Sequence, residues 1–518
     1  MQLRELYMQL LEVYLQLLEV YVQLLEVYMQ LLEVYVQLLE VYLQILVFES
    51  GIGVYRQLEV LRRRTSDPYD VFIIGGGVAG TALLYELAAF TNIKKIGLVE
   101  RRQGFGLVQS HPRNNSQTIH CGDIETNYTL QKAKVVKRQA DMLRNFATKL
   151  PPETRDKVIF RFPKMALAVG DEECDFMKKR FQTFKPLFSS LQLVGKTEIC
   201  ELEPRVGMKS SSSPRDDEVC GLFVPNEHTA VNYISLAEAF VSAAKQAAAG
   251  KQLDFSLGTE VLEIKREDKN LFSLITDKGI KKARFVVVSA CGHSLLFAQR
   301  LGYGLEFSCL PVAGSFYFAD KMLNGKVYTV QDARLPFAAV HGDPDILLLG
   351  KTRFGPTALP LPLLERNNLK TFFDFAKCVK PDWRLAQVYV QLLNTAYMRA
   401  YVFKNFLFEV PALNLHLFAK DLRKIIPSIQ VEDLTYAKGF GGIRPQLINK
   451  TEKKLLLGEG KIVTGENIIF NITPSPGGTT CLGTAETDMR EIVRELQASI
   501  DEEKFRKVLL QGEYPVGN

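Results

Sequence analysis

The feature that most constrains the fold is a strand, a glycine-rich turn and a helix in immediate succession. The apolar, β-branched run at residues 70–74 is typical of a buried parallel strand. It leads directly into the sequence GGGVAG at residues 75–80, after which a helical apolar pattern begins. Gly75 permits a tight turn, Gly77 lets a pyrophosphate approach the backbone, and Gly80 lets the helix pack on the strand. The unit therefore predicts an α/β dinucleotide-binding domain.

A second strand supplies the acidic group that such a domain needs. Residues 96–100 form another apolar run, which ends at Glu100. We expect the Glu100 carboxylate to accept hydrogen bonds from both hydroxyls of a ribose, while the start of the helix faces the phosphates with unpaired N–H groups. These residues alone do not distinguish NAD from FAD.

Two later segments favour a flavin. A turn at residues 276–279 is followed by a buried strand that ends in Ala290-Cys291-Gly292, a pattern that recurs in flavoproteins with two dinucleotide folds. The sequence NITPSPGGTT at residues 471–480 opens a helix whose first amides are suited to the pyrimidine edge of a flavin. No second GxGxxG follows, as a pyridine-nucleotide reductase would require. FAD is therefore the predicted cofactor, and NAD is the alternative.

Composition excludes several other classes of protein. The eight cysteines include no CxxC pair and the six histidines form no HxxxH or HExxH cluster, so we expect neither a metal site nor a disulfide framework. No uncharged apolar run reaches the ~18 residues that a membrane-spanning helix needs. The net charge of +6 suits an anionic cofactor, an anionic substrate or an acidic membrane surface. Nucleic acid is not expected as a partner, because no dense basic cluster is interleaved with aromatic residues.

A repeat sets the first 65 residues apart. Residues 7–41 are five copies of the heptad Tyr-x-Gln-Leu-Leu-Glu-Val, in which x is Met, Leu or Val. The Gln and Glu residues share one narrow stripe of a helical wheel, so one interpretation is an amphipathic helix that self-associates or lies on a membrane. The alternative is a recent expansion of a repeated DNA unit, since the codons ATG, CTG and GTG differ only in their first base. We treat residues 1–65 as an N-terminal extension outside the fold argument.

Several longer strings carry a family resemblance. They are residues 115–128 (NSQTIHCGDIETNY), 225–233 (PNEHTAVNY), 340–343 (VHGD), 352–358 (TRFGPTA), 442–446 (GIRPQ) and 474–477 (PSPG). Together with the glycine turn they resemble the malate:quinone oxidoreductase family over residues 67–510, and more narrowly its apicomplexan mitochondrial and epsilonproteobacterial type. The resemblance implies a mixed α/β (α+β) fold of the D-amino-acid-oxidase-like kind. In that fold a glutathione-reductase-like FAD Rossmann domain is interleaved with a mixed-sheet substrate domain.

The resemblance also implies a division of residues 66–518, an FAD-dependent oxidoreductase. The FAD domain would comprise residues 67–150, 225–300 and 435–510, and the substrate domain residues 151–224 and 301–434. Beyond the glycine turn and Glu100, the cofactor contacts implied by the resemblance are Ser116, Gln117, Thr118, Val261, Ala290, Gly292, Gly477, Gly478 and Thr479.

The implied reaction is a step of the tricarboxylic acid cycle, the oxidation of L-malate to oxaloacetate. A hydride would pass to FAD, and electrons would then pass to a membrane quinone, either ubiquinone or menaquinone. The implied location is peripheral, on the mitochondrial inner membrane of a eukaryote or on the cytoplasmic face of a bacterial inner membrane. Basic and aromatic side chains alternate through residues 384–430, which suits either an interfacial patch on anionic lipid or a core helix with a solvated face.

This reaction needs a base for the malate hydroxyl and cations for two carboxylates. His341 follows an apolar run at residues 337–340 and precedes a polar turn, so we expect its ring to project into the site as the base. His120, in the loop after the second strand, is the alternative base. Arg353 and Arg444 are the candidates for the carboxylates, because a guanidinium binds a carboxylate bidentately. Each arginine has an alternative role as a member of a buried ion pair.

Two other functions stay open. One, in the same fold, is a dehydrogenase or oxidase of another 2-hydroxy acid, such as 2-hydroxyglutarate or lactate. The other is a self-assembling scaffold, driven by the heptad repeat, in which the flavin fold is vestigial. Assembly of residues 1–65 alone would test the scaffold, and two carboxylate anchors on opposite sides of the base would favour a dicarboxylate substrate. No oligomeric state is predicted.

Overall fold

The computed structural model describes residues 67–511, apart from residues 211, 333–338, 412, 457, 459 and 473–475. The heptad repeat therefore lies outside the described residues. The same holds for residues 473–475 of the third flavin segment and for residues 337–338 of the run before His341.

The described chain contains both strands and helices, with several runs of consecutive strands. The strands are β1 (Tyr69–Ile74), β2 (Lys95–Glu100), β3 (Ile159–Arg161), β4 (Lys164–Val169), β5 (Gln192–Gly195), β6 (Met208–Ser210), β7 (Ser213–Pro214), β8 (Val219–Val224), β9 (His228–Val231), β10 (Gln252–Leu257), β11 (Val261–Asp268), β12 (Leu271–Thr276), β13 (Gly279–Val288), β14 (Phe307–Ala313), β15 (Tyr317–Asp320), β16 (Lys326–Thr329), β17 (His341–Pro344), β18 (Lys351–Gly355), β19 (Leu359–Pro360), β20 (Thr435–Tyr436), β21 (Ile443–Asn449), β22 (Lys454–Leu456), β23 (Lys461–Val463) and β24 (Ile468–Asn471). The helices are α1 (Val78–Phe90), α2 (Leu130–Thr148), α3 (Pro152–Val158), α4 (Asp171–Phe184), α5 (Lys196–Leu202), α6 (Pro204–Gly207), α7 (Tyr233–Ala247), α8 (Gly292–Arg300), α9 (Thr371–Val379), α10 (Trp383–Leu392), α11 (Ala396–Leu407), α12 (Asn414–Leu422), α13 (Cys481–Glu495) and α14 (Glu502–Phe505). Short helical turns lie at Pro112–Asn114, Val431–Asp433 and Arg506–Leu510.

The glycine turn belongs to an eight-stranded sheet in which β10, β2, β1 and β13 are mutually parallel. On its other edge, the first part of β13 pairs antiparallel with β12, and the last part of β13 pairs parallel with β24. β11 then pairs with β12, and β23 pairs with β24. Val71 and Ile73 of β1 face a core built with α1, α7 and α13, whereas Phe72 and Ile74 face a second core. Because β1 is buried on both faces, its sequence is a continuous apolar run, as parallel strands require.

A second eight-stranded sheet runs in the order β20-β15-β18-β17-β16-β4-β8-β5. All of its pairs are antiparallel except β16 and β4, which are parallel. Both sheets are present in the mixed α/β arrangement that the sequence predicts. No helix in the described part of the chain is long and apolar enough to cross a membrane.

A small antiparallel sheet, in the order β19-β14-β21-β22, carries helices on both of its faces. On one face, Leu447 of β21 packs with Cys378 of α9. The next residue, Ile448, lies on the other face and packs with Leu385 and Val388 of α10. Since side chains alternate along a strand, Arg444 lies on the same face as Ile448, under α10 and α11.

The loop between β2 and α2 joins the first two sheets. The Ile119 amide donates a hydrogen bond to the Thr229 carbonyl (2.9 Å), and the Val231 amide donates one to the Gln117 carbonyl (3.0 Å), so the loop pairs with β9. β9 itself pairs with β3 in a separate two-stranded sheet. The Thr118 hydroxyl lies 2.8 Å from the Tyr328 hydroxyl of β16, so the segment from Ser116 to His120 also contacts the second large sheet.

Candidate active site

A cavity of about 320 Å³ opens at the glycine turn, between β1, β2 and β13. Its lining includes the predicted residues Gly75, Gly77, Glu100, Val261 and Ala290. We call it the glycine-turn cavity. The backbone of Gly75 has a φ of +113°, and a Cβ atom there would lie 2.3 Å from the Ser289 carbonyl oxygen, so only glycine fits. A Cβ atom on Gly80 would lie 2.0 Å from the Gly75 carbonyl oxygen, which explains the close approach of α1 to the turn.

Backbone amides hold the Glu100 carboxylate at the wall of this cavity. Its Oε2 accepts a hydrogen bond from the Gly76 amide at 2.8 Å, and its Oε1 accepts one from the Arg102 amide at 2.8 Å. At the start of α1, the Val78 amide donates to the Ser110 hydroxyl at 3.0 Å. The cavity thus has an acid at one end and a helix N-terminus at the other.

A second cavity of about 180 Å³ adjoins the first and shares Gly77 and Ser110 with it. We call it the histidine cavity. The predicted residues in its lining are Ser116, Thr118, His120, Arg444, Gly477, Gly478 and Thr479. The two cavities therefore form one groove from Glu100, past the start of α1, to the start of α13.

The start of α13 is tied to the loop that carries His120. A Cβ atom on Gly478 would lie 2.7 Å from Cζ of Tyr233, so the ring packs directly against the backbone there. The Tyr233 hydroxyl donates to the Thr118 carbonyl at 2.9 Å, and the His120 amide donates to Oγ1 of Thr479 at 3.1 Å. These contacts bring the third flavin segment and the His120 loop to one end of the groove.

His120 and Glu125 form a hydrogen-bonded pair at that end. Nδ1 of His120 lies 2.9 Å from Oε1 of Glu125, and Nε2 lies 3.5 Å from the Ser116 hydroxyl. The other Glu125 oxygen accepts a hydrogen bond from the Gly122 amide at 2.7 Å. Burial opposes the ionisation of Glu125, but His120, Lys164 and the Gly122 amide together lower its pKa below the ordinary value. An ionised Glu125 keeps a proton on Nδ1 and leaves Nε2 as the basic nitrogen.

Arg444 supplies a cation to the histidine cavity. Among the described residues, no carboxylate oxygen lies within 4.0 Å of its guanidinium. Burial lowers the pKa of Arg444, and the neighbouring Tyr328, Tyr128 and Tyr401 oppose that shift. Arg444 is half-buried, and a cation removed from water without a carboxylate partner is costly, so this position is suited to an anionic ligand.

His341 and Arg353 do not line either cavity. The sequence predicts a turn after His341, but the structure has strand β17 beginning at this residue, so its ring lies inside the second sheet. The ring stacks on Tyr328 with 4.1 Å between centroids, Nε2 lies 3.2 Å from Oδ2 of Asp343, and burial lowers the pKa of His341. The side chain is 2% exposed, which separates it from the groove.

Arg353 and Gln117 are held by the same acid. A guanidinium nitrogen of Arg353 lies 3.4 Å from Oδ2 of Asp345 and donates to the Pro112 carbonyl at 3.1 Å, which corresponds to the ion-pair alternative for this arginine. Nε2 of Gln117 donates to the same Asp345 oxygen at 3.0 Å, and Oε1 of Gln117 accepts from the Ile346 amide at 3.0 Å. The Gln117 side chain is thus fully engaged inside the protein, away from the groove.

Gly292 also lies off the groove. It is the first residue of α8, and a Cβ atom there would lie 3.0 Å from a methyl carbon of Leu364. Its role in the structure is therefore the close packing of α8, while its neighbour Ala290 lines the glycine-turn cavity.

Sequence reasoning missed three residues around His120. Glu125 lies within residues 115–128, a segment in which the sequence singled out other residues, and Lys326 and Tyr328 of β16 belong to no motif. Nζ of Lys326 lies 3.0 Å from the Thr118 hydroxyl and 2.9 Å from Oδ1 of Asp343. The Tyr328 hydroxyl lies 2.8 Å from the same Thr118 hydroxyl. The available signal was a lysine in a short β-branched run, which is uncommon unless the lysine is paired.

Two solved structures share the architecture of this chain. Glycine oxidase from Geobacillus kaustophilus superposes with a TM-score of 0.56 at 18% identity, covering 83% of this chain and 95% of that chain. L-alpha-glycerophosphate oxidase from Mycoplasma pneumoniae, solved with FAD bound, superposes with a TM-score of 0.55 at 19% identity, covering 84% and 96%. The predicted D-amino-acid-oxidase-like fold is confirmed.

Sequence relatives narrow the family. A probable malate:quinone oxidoreductase of Campylobacter jejuni is 44% identical over 448 residues, which is 85% of this chain and 99% of the relative. Malate:quinone oxidoreductase of Helicobacter pylori is 44% identical over 443 residues, or 85% and 98%. A mitochondrial L-2-hydroxyglutarate dehydrogenase of Nematostella vectensis is 25% identical over 449 residues, or 83% and 91%. The family model of malate:quinone oxidoreductase (Mqo) matches residues 67–509, and the chain belongs to that family.

Proposed function

We propose that this protein oxidises L-malate to oxaloacetate, with FAD as its resident cofactor and a membrane quinone as its electron acceptor. The family and the two bacterial relatives at 44% identity support this activity. The observation that carries it is the histidine cavity, where the His120–Glu125 pair and the cation of Arg444 meet the start of α13.

The groove fits FAD. The carboxylate of Glu100 suits the ribose hydroxyls, the turn at Gly77 and the first amides of α1 suit the pyrophosphate, and the start of α13 suits the pyrimidine edge of the ring. The two adjoining cavities give the elongated, continuous space that a dinucleotide needs. When bound, FAD supplies a ring nitrogen that accepts the hydride from C2 of malate.

The proposal includes a division into domains. We assign residues 67–150, 225–300 and 435–510 to the FAD domain, and residues 151–224 and 301–434 to the substrate domain.

His120 is the proposed base. Glu125 accepts a hydrogen bond from Nδ1–H, so Nε2 of His120, which faces the Ser116 hydroxyl at 3.5 Å, takes the proton from the C2 hydroxyl of malate as the C2–O bond becomes a carbonyl. Glu125 stabilises the imidazolium that results, because its negative charge lies next to Nδ1. In this assignment His341 acts behind the site, by stacking on Tyr328.

Arg444 is the proposed partner of a malate carboxylate. Its guanidinium has no carboxylate partner among the described residues, and two parallel N–H donors fix the orientation of a planar anion. Bound in this way, malate covers the polar wall of the histidine cavity and excludes water from the reacting carbon.

A substrate one methylene longer is the second candidate, since a relative at 25% identity is an L-2-hydroxyglutarate dehydrogenase. The higher identity to the malate enzymes favours malate. We further propose a peripheral membrane location, which places the protein on the mitochondrial inner membrane in a eukaryote and on the cytoplasmic face of the inner membrane in a bacterium. A quinone dissolved in lipid requires such a location of its reductase.

The test is anaerobic addition of L-malate to the purified, flavin-loaded protein. Bleaching of the flavin band by malate, but not by NADH, lactate, 2-hydroxyglutarate or glycerol 3-phosphate, is the expected result. A short-chain quinone added afterwards should restore the band. A yellow protein that malate does not bleach refutes the substrate, and a colourless protein refutes the cofactor.

A further inference from the structure

Two successive helices, α10 and α11, expose large apolar side chains to solvent. The exposed fractions are 62% for Trp383, 70% for Val390, 40% for Leu393, 41% for Tyr397, 47% for Phe403 and 57% for Phe406. We call the side chains of Trp383, Val390, Phe403 and Phe406 the aromatic face. Leu393 follows the end of α10, and the Tyr397 hydroxyl donates to Asp332, so neither is included. In an ordinary surface helix the outer face is polar, because only the inner face gains by burial.

The aromatic face follows from helical spacing. Trp383 and Val390 are seven residues apart on α10, and Phe403 and Phe406 are three apart on α11, so each pair shares one side of its helix. The opposite side of α10 packs Leu385 and Val388 on the small sheet. α10 thus buries one apolar side in the protein and presents a second one outward, while α11 presents Phe403 and Phe406 away from its buried Asn405.

Charge on this segment has a single sign. No aspartate or glutamate occurs between Trp383 and Phe408, although Asp382 and Glu409 flank the segment. Of its three cations, Lys404 is paired with Asp421 at 2.6 Å, which leaves Arg384 and Arg399. Arg384 lies over the Trp383 ring at 5.9 Å, and Arg399 donates to the carbonyls of the loop between the two helices. Aromatic rings beside basic groups complement the interface of an anionic bilayer, where rings enter the headgroup region and cations meet phosphates.

The aromatic face lies directly behind the histidine cavity. Tyr401 lies on α11, and Pro356, which lines that cavity, lies two residues before Ala358. Asn405, one turn further along α11, is buried and accepts a hydrogen bond from the Ala358 amide at 2.7 Å, next to β19. Only the thickness of one helix, roughly 10–12 Å, therefore separates the outer side of α11 from the cavity wall.

We propose that the aromatic face docks on an anionic lipid bilayer and brings the histidine cavity to within one helix of the membrane-dissolved acceptor. This inference deepens the proposed function, on which it rests for the nature of the acceptor. The partner is a lipid surface that carries negative headgroups, since the exposed rings and the exposed guanidinium groups of Arg384 and Arg399 both match it.

The test uses the full-length holoenzyme and vesicles of phosphatidylcholine, either alone or mixed with phosphatidylglycerol. The variant is the double substitution Trp383→Ser and Phe406→Ser, and the matched control is Leu305→Ser with Val463→Ser, which removes side chains that are 52% and 50% exposed elsewhere. Sedimentation with the mixed vesicles should weaken roughly tenfold or more in the variant, because each buried ring contributes separately to binding. The control should sediment like the wild type.

Activity separates this inference from the proposed function. With malate and a water-soluble dye as acceptor, the variant should match the wild type, whereas its rate with a long-chain quinone in mixed vesicles should fall. An unchanged ratio of the two rates overturns the inference. The inference is also overturned if phosphatidylglycerol in the vesicles does not increase the sedimentation of the wild-type protein. A change in solution mass with an unchanged ratio also overturns it and assigns the face to a second copy of the chain. Absence of dye activity in the wild type refutes the proposed function instead.

Discussion

The base assignment is the sharpest prediction. In His120→Asn the amide can still donate to Oε1 of Glu125, which lies 2.9 Å from Nδ1 in the wild type, but no basic nitrogen remains at the position of Nε2. The substitution therefore keeps the polar contact and removes the proton acceptor.

Its magnitude follows from the role of a general base. A positioned base contributes roughly 10²–10⁴ in rate, which is about 3–5 kcal/mol of barrier. The histidine side chain is 15% exposed, and its ring meets Tyr328 edge-on at 6.3 Å, so the loss of packing is modest. We expect the substitution to lower the free energy of unfolding by about 1–2 kcal/mol, which is well below its effect on the reaction barrier.

The assay is stopped-flow reduction of the flavin by saturating L-malate without oxygen. The rate should fall by roughly 10²–10⁴ while the flavin content of the protein stays normal. His111→Asn is the matched control, because His111 caps the turn at Pro112–Asn114, a role that asparagine also fills, and it does not line the groove. Reduction of the His120 variant within about threefold of the wild type would refute the assignment and return the role to His341.

Three further perturbations test the rest of the site. Arg444→Gln should raise the KM for malate roughly 10–100-fold, since charged hydrogen bonds contribute about 1.5–3 kcal/mol. Arg444→Lys should have a KM between those of the wild type and the Gln variant, because lysine keeps the charge but not the bidentate geometry. Gly478→Ala puts a methyl carbon 2.7 Å from the Tyr233 ring, so the flavin-to-protein ratio should fall. Burial lowers the pKa of His341 below 6.5, so the unfolded chain binds more protons than the folded one below about pH 6.5 and stability should fall there as pH drops. Urea unfolding at about pH 7 and about pH 5 measures this loss, which should be smaller in His341→Asn.

Each of these has its own control or contrary outcome. Arg353→Lys should leave the KM for malate near the wild-type value, because that arginine contacts Asp345 and Pro112 rather than the groove. Gly195→Ala meets only Glu198, at 3.5 Å, so its flavin content should be normal. An equal loss of stability with acid in the His341 variant would show that other groups carry the pH dependence.

Local chemistry made the glycine turn predictable. The strand expected at residues 70–74 is observed at Tyr69–Ile74, and the second strand ends at Glu100 as expected. Likewise Asn232, in a quoted string, caps the helix Tyr233–Ala247 through hydrogen bonds from the Ile234 and Ser235 amides. In each case the residues that decide the geometry are neighbours in sequence, so the pattern contains the whole signal.

The positions of the other site residues depend on packing between distant parts of the chain. Whether His341 faces the groove depends on its partners in the sheet, Tyr328 and Gly355, which pair with it across β16 and β18. The role of Arg353 depends likewise on Asp345 and on a carbonyl 241 positions away. The lysine at position 326 could indicate only that it is paired, because its partners Thr118 and Asp343 come from a distant loop and a neighbouring strand.

The residues that form the histidine cavity are synthesised at widely separated times. Thr118 and Thr479, which contact each other at one end of the groove, lie 361 positions apart in the chain. Ribosomes add ~5–20 residues per second, so roughly 20–70 s separate the synthesis of the two. During that interval the nascent chain already holds the glycine turn and Glu100, but it has neither β24 nor the start of α13. For the function proposed above, stable capture of the flavin ring therefore waits until the start of α13 has been synthesised.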